Sequence, residues 1–176
     1  SSSLYGSEAL GGVINIITNK EKEDGFNNKI YYQYGSFKTQ DMLADISFKK
    51  NNFTVFGNLN YYSSDGYDLV EDDGQKTVEA FNNYTGAIGI SYDMNTLGNL
   101  NVNYKSFTEE RDGTIFITSP GVENKSETNE NNISLKYRKD LSKSVSLNID
   151  FYKTGYINKE EQIDQNNNLR NNNFDQ

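Results

Sequence analysis

The chain has 176 residues, 34% of them hydrophobic, with 17 basic and 25 acidic side chains, a net charge of −8, and no Cys, His or Trp. A pI near 4.6 argues against a nucleic-acid binder, which needs basic density to displace counterions, and a mean hydropathy of −0.82 without an apolar run near ~18 residues excludes a helical membrane span. Without Cys or His there is no disulfide, thiolate zinc site or histidine base, which leaves an enzyme possible only on carboxylates, Lys or Tyr; nothing places a particular carboxylate pair across a cleft, and neither an enzyme nor a cofactor is expected.

The chain is polar, yet 13 Tyr and 10 Phe are too many for a solvating tail. Residues 4–18 come first. Gly11 and Gly12 permit a close approach or a tight turn. They precede the apolar run Val13, Ile14, Ile16 and Ile17, interrupted by Asn15. Glu8 needs a partner if it is buried; on an exposed turn it needs none. Residues 19–28 read as a charged linker.

From residue 29 the pattern changes to period two, the spacing of strands whose faces meet different media. Seven stretches carry it: 29–34, 41–48, 53–62, 84–92, 99–105, 132–138 and 144–151. In the third, Phe53, Val55, Leu59 and Tyr61 alternate with Thr54, Asn58 and Asn60. In the fourth, Tyr84, Ile88, Ile90 and Tyr92 oppose Thr85, Ala87, Gly89 and Ser91. Short connections (49–52, 93–98, 139–143) are expected to alternate with long polar loops (63–82, 109–130); a further short turn lies at 35–39. Such a meander, with strands near the ~9–11 residues of a tilted membrane strand, describes an outer-membrane β-barrel. Tyr61, Tyr62, Tyr84, Tyr92, Tyr104, Tyr137 and Tyr152 lie toward strand ends, where an interfacial aromatic girdle is expected.

The loops supply the site candidates. Asp65, Asp68, Glu71, Asp72 and Asp73 precede Gly74. Carboxylates at this density can hold Ca²⁺, with Asp68, Asp72 and Asp73 as the candidate ligands. The EF-hand pattern fails, because Leu69 falls at its first ligand position, and a solvated loop explains the same residues. Ile115, Phe116 and Ile117 form an apolar island: a ligand platform, a self-packed loop, or a continuation of the fifth strand. Tyr67 and Phe116 are the aromatic candidates for ligand contact.

The run Leu4-Tyr5-Gly6-Ser7-Glu8-Ala9-Leu10-Gly11-Gly12-Val13-Ile14-Asn15-Ile16-Ile17-Thr18 resembles, nearly residue for residue, the closing segment of the plug domain in TonB-dependent outer-membrane receptors. Weaker echoes of that family's first barrel strands follow in Tyr34-Gly35-Ser36-Phe37 and Ser64-Asp65-Gly66-Tyr67. The resemblance makes Leu4, Tyr5, Gly6, Glu8, Gly11 and Gly12 structural plug residues. It implies a 22-stranded barrel with a plugged lumen, energised uptake of a scarce nutrient such as an iron-siderophore, haem or cobalamin, and a TonB complex and outer-membrane lipid as partners.

The expected fold is therefore all-β: the last plug segment (1–18), a linker (19–28), and about seven antiparallel strands (29–176) of a larger, incomplete transmembrane barrel. Ser1-Ser2-Ser3 without Met and the closing runs Asn166–Asn168 and Asn171–Asn173 fit the expectation of a piece of a longer receptor in the bacterial outer membrane. The alternatives are a porin-like channel, which has no use for residues 4–18, and a soluble β-sandwich binding module, whose strands also alternate.

Overall fold

The structure, a computed structural model, describes residues 23–69, 77–115, 122–163 and 169–175. These residues form one antiparallel sheet of eight strands in simple sequence order: β1 (Gly25–Tyr34), β2 (Gln40–Lys50), β3 (Phe53–Ser64), β4 (Ala80–Asp93), β5 (Asn99–Ile115), β6 (Val122–Ser142), β7 (Val145–Ile163) and β8 (Leu169–Asp175). Among the described residues β1 pairs only with β2 and β8 only with β7, so the sheet is open.

The turns at one end are tight. Asn51 and Asn52 join β2 to β3, residues 94–98 join β4 to β5, and Lys143 and Ser144 join β6 to β7. Asn51 and Asn95 take the left-handed conformation, at φ 52° and 56°, which Asn tolerates better than most residues. The connections 35–39, 65–79, 116–121 and 164–168 fall at the other end.

The register sorts the side chains into rows across the sheet. On one face a row runs Phe26, Phe48, Val55, Ile90, Val102, Leu135, Phe151. The next row toward the longer connections holds Ile46, Gly57, Ile88, Tyr104 and Ile133. Two aromatic rows bracket this band. Toward the tight turns stand Phe53, Tyr92 and Tyr137, with Leu100 between the tyrosines. Toward the longer connections stand Tyr32, Met42, Tyr61 and Tyr84, the rings of Tyr61 and Tyr84 4.9 Å apart.

On β2 and β4 the apolar face is also the more open one. On β2, Met42, Ile46 and Phe48 are exposed while Asp41, Leu43, Asp45 and Ser47 are half-buried. On β4, Tyr84, Ile88 and Ile90 are exposed while Asn83, Thr85 and Ala87 are half-buried. Among the described residues no hydrophobic side chain is buried, and Leu59 and Ile30 are 66% and 81% exposed. A sheet with one apolar face ordinarily buries it against a second layer; here no second layer covers it.

Several expectations change. Among the described residues there are eight strands where about seven are expected, the eighth hidden in an Asn-rich sequence. β1 starts at Gly25, inside the stretch expected as linker. The long loop expected at 109–130 is mostly strand: β5 and β6 stay paired from Phe107↔Glu130 out to Ile115↔Val122, with Asp112 opposite Lys125 and Thr108 bonded to Asn129 at 2.8 Å. Ile115 thus continues the fifth strand. Of the seven girdle tyrosines, Tyr104 stands inside the apolar band because β5 runs ten residues beyond the expected Lys105. Tyr62 and Tyr152 point to the polar face, opposite Asp41 and Ser134.

Candidate functional site

The polar face, half-buried on β2 and β4, has side chains that bond to each other across the strands. Asn58 donates to Asp45, and Asn60 Nδ2 donates to Asp41 Oδ1 at 3.2 Å. Ser91 Oγ donates to Asn101 at 2.8 Å, Asn103 Nδ2 to Ser134 at 3.4 Å, and Thr154 Oγ1 to Asn132 at 2.6 Å. Directly paired residues hold their Cβ atoms ~4.5–5.5 Å apart, a gap that short amides and hydroxyls bridge. The result is a water-compatible wall of amides and hydroxyls with charges such as Asp45, Lys105, Lys136 and Asp150 set among them, and it carries the aromatic pair Tyr62 and Phe81, with ring centroids 5.2 Å apart.

At the end with the longer connections, two segments distant in sequence meet. The β1–β2 turn contains a single 3-10 turn, Ser36–Lys38, in which Phe37 and Lys38 both have positive φ (57° and 50°). Asp65, just past β3, donates its backbone N–H to Phe37 O at 3.0 Å and accepts from Lys38 Nζ at 2.6 Å. The Phe37 and Tyr67 rings lie 5.1 Å apart. Tyr67 pairs in turn with Val78 through two 3.0 Å backbone bonds, and Leu69 N donates to Thr77 Oγ1 at 2.9 Å. Gly66 has φ +72°, and a Cβ there would overlap the Val78 carbonyl, so glycine is required.

Beyond the aromatic row nearer the longer connections, β5, β6 and β7 carry charge on both faces. A shallow groove of about 410 Å³ includes Glu110, Lys125, Glu127 and Lys159 in its lining. Lys159 stands 3.4 Å from Glu127, and Lys125 stands 4.0 Å from Asp112. Asn129, with Lys159 second, holds the Glu127 carboxyl below its ordinary range. On the polar face Arg111 bonds Glu109 at 2.7 Å, which raises the guanidinium further above its ordinary value. Pairs this exposed contribute little to stability, ~0–1 kcal/mol each.

The structure therefore joins Tyr67 to Phe37 and leaves Asp68 exposed beside Thr77, whose hydroxyl donates to it at 3.3 Å. Leu4, Tyr5, Gly6, Glu8, Gly11, Gly12, Asp72, Asp73 and Phe116 lie outside the described residues. Among the described residues no group of three or more His, Cys, Asp or Glu is arranged to hold a metal ion, and no helix is long and apolar enough to cross a membrane. The two weak motifs of the sequence, residues 34–37 and 64–67, prove to be the two halves of one contact. Their shared pattern of glycine, serine and aromatic residue was the available signal; only the β2–β3 hairpin brings them together. No protein-family model and no solved structure matches the chain.

Proposed function

We propose that this chain is part of a TonB-dependent outer-membrane receptor: the closing segment of its plug and the first strands of its barrel. The observation that carries the reading is the uncovered apolar face of the sheet, which on β2 and β4 is more exposed than the polar face. Eight residue steps separate the aromatic rows on β3 and β4, from Phe53 to Tyr61 and from Tyr92 to Tyr84. At ~3.4 Å per residue that is roughly 27 Å along the strand, and about 21 Å of height at the ~40° tilt of a membrane barrel. The apolar band of such barrels is ~25 Å tall. The two-residue turns 51–52 and 143–144 at one end and the fifteen-residue connection 65–79 at the other fit the periplasmic and outer sides.

On this reading lipid takes the place of the missing second layer, and the Asn-rich wall faces a wet or plugged lumen. A scarce nutrient, of the class of an iron-siderophore, haem or cobalamin, binds at the outer side. The TonB complex acts through a segment beyond this chain to rearrange the plug, and no covalent chemistry is involved.

The test uses single nitroxide labels at residues 84–92 of the receptor reconstituted in lipid vesicles. Oxygen, which concentrates in lipid, should relax labels at 84, 86, 88, 90 and 92. A water-soluble nickel chelate should relax those at 85, 87 and 91. Even positions shielded from both reagents would mean a second protein layer and favour the soluble module. Cargo uptake that survives deletion of the TonB complex would favour the porin-like channel.

A further inference from the structure

The contact between the β1–β2 turn and the root of the β3–β4 connection joins elements that the sheet alone does not join. Both flank the β2–β3 hairpin, whose ladder ends at Gln40↔Ser63. Past that point the two chains are free to diverge. Instead, five interactions hold them: the Asp65 N–H to Phe37 O, the Lys38–Asp65 ion pair, the Phe37–Tyr67 rings, and two bonds of Ser64 Oγ, to Phe37 O at 3.4 Å and from Thr39 Oγ1 at 3.3 Å. The turn also adopts a conformation its residues disfavour. Two successive non-glycine residues in the left-handed region, one of them an aromatic, persist only where the surroundings over-determine them. The partner that over-determines Phe37 and Lys38 is the β3–β4 root.

We infer that Phe37, Lys38, Asp65 and Tyr67 form a latch that binds the β1–β2 turn and the root of the β3–β4 connection into one body, so that they are the positioning residues of that connection. Tyr67 is the hinge point, because its ring is held by Phe37 while its backbone is held by Val78. When the latch opens, the turn is released from its strained backbone and the Tyr67–Val78 bridge loses its anchor. The inference stands on these contacts and does not depend on lipid or cargo.

The experiment is hydrogen exchange on the complete protein in detergent micelles, read at the amides of Asp65, Tyr67, Leu69 and Val78. Phe37→Ala and Tyr67→Ala should each speed exchange at these amides by about tenfold, as expected for opening of a local unit. The double variant should be no faster than the faster single, since both remove the same contact. Lys38→Asp should speed it too, and adding Asp65→Lys should restore slow exchange. Amides of Leu43 and Asn60 in the hairpin report whether the sheet itself is intact. If Phe37→Ala loosens the sheet as well, the charge-swap pair decides alone. Unchanged exchange in the single variants, additive effects in the double, or no rescue by the swap would each overturn the latch.

Discussion

Phe56 lies across Gly89 on the polar face, and a Cβ at Gly89 would overlap both its ring and the Asn103 carboxamide. A ring laid over a strand glycine covers backbone that would otherwise be bare. Gly89→Ala must displace a ring and an amide, an overpacking that costs about 1–3 kcal/mol. Gly155 has nothing within 4 Å of the same position and an ordinary φ, so Gly155→Ala should be neutral or slightly stabilising. Urea unfolding of the two variants in micelles, followed by gel migration, separates them; equal midpoints would remove the role given to Phe56. A second residue-scale expectation concerns Lys38, whose ammonium is held above its ordinary value by the hydrogen bond and charge of Asp65, with Tyr34 adding to it. A raised folded value means the pair contributes fully below the ordinary lysine pKa of ~10.4 and fades as pH rises through the raised one. The NMR titration midpoint of Lys38 Cε should therefore fall on Asp65→Asn; an unmoved midpoint would mean the ion pair does not form in solution.

At the scale of the strand, alternation is legible only where the two faces meet different media. β3 and β4 could be read from residues such as Phe53, Leu59, Ile88 and Ile90 because the apolar band fills most of their length. β5, β6 and β7 extend past the upper tyrosine row, where residues such as Glu109, Glu110, Thr128 and Asn129 put polar groups on both faces. Period two vanishes there although the backbone ladder does not, and 109–130 therefore reads as loop. β8 is harder still, since Asn171–Asn173 gives neither face an apolar residue. The latch was only half legible for another reason: residues 34–37 and 64–67 share a glycine, serine and aromatic pattern, but tertiary register alone joins them. The same view of the strand makes a prediction on β4. Ile88→Arg puts a charge in the middle of the band and should cost about 2–4 kcal/mol of folding into lipid, whereas an arginine near either aromatic row costs ~0–1 kcal/mol. Ala87→Arg, one residue away on the polar face, should be far better tolerated. Folding yield into phospholipid vesicles measures both, and equal losses would deny that the two faces see different media.

At the scale of the whole molecule, the open sheet has two separate needs. Its apolar face, from Phe26 through Phe151, finds no buried position among the described residues. Its two edges, β1 and β8, each leave one side of the backbone unpaired among those residues, and an exposed, apolar edge is a template for pairing with further chains. β1 is such an edge, with Phe26, Ile30, Tyr31, Tyr32 and Tyr34 all exposed. Detergent satisfies the face but not the edges; further strands satisfy the edges but not the face. The 176-residue chain made alone should therefore aggregate in water, and in micelles should remain a mixture of self-associated species without the heat-modifiable migration of a closed barrel. The same residues within a chain that supplies the remaining strands should fold in micelles as a monomer that migrates differently before and after boiling. Analytical ultracentrifugation and unboiled gels read both outcomes. A soluble, cooperatively unfolding monomer of the chain alone would require a way of covering the apolar face without lipid, which only a second layer or a strongly rolled sheet provides, and the membrane reading would then fail at its physical premise.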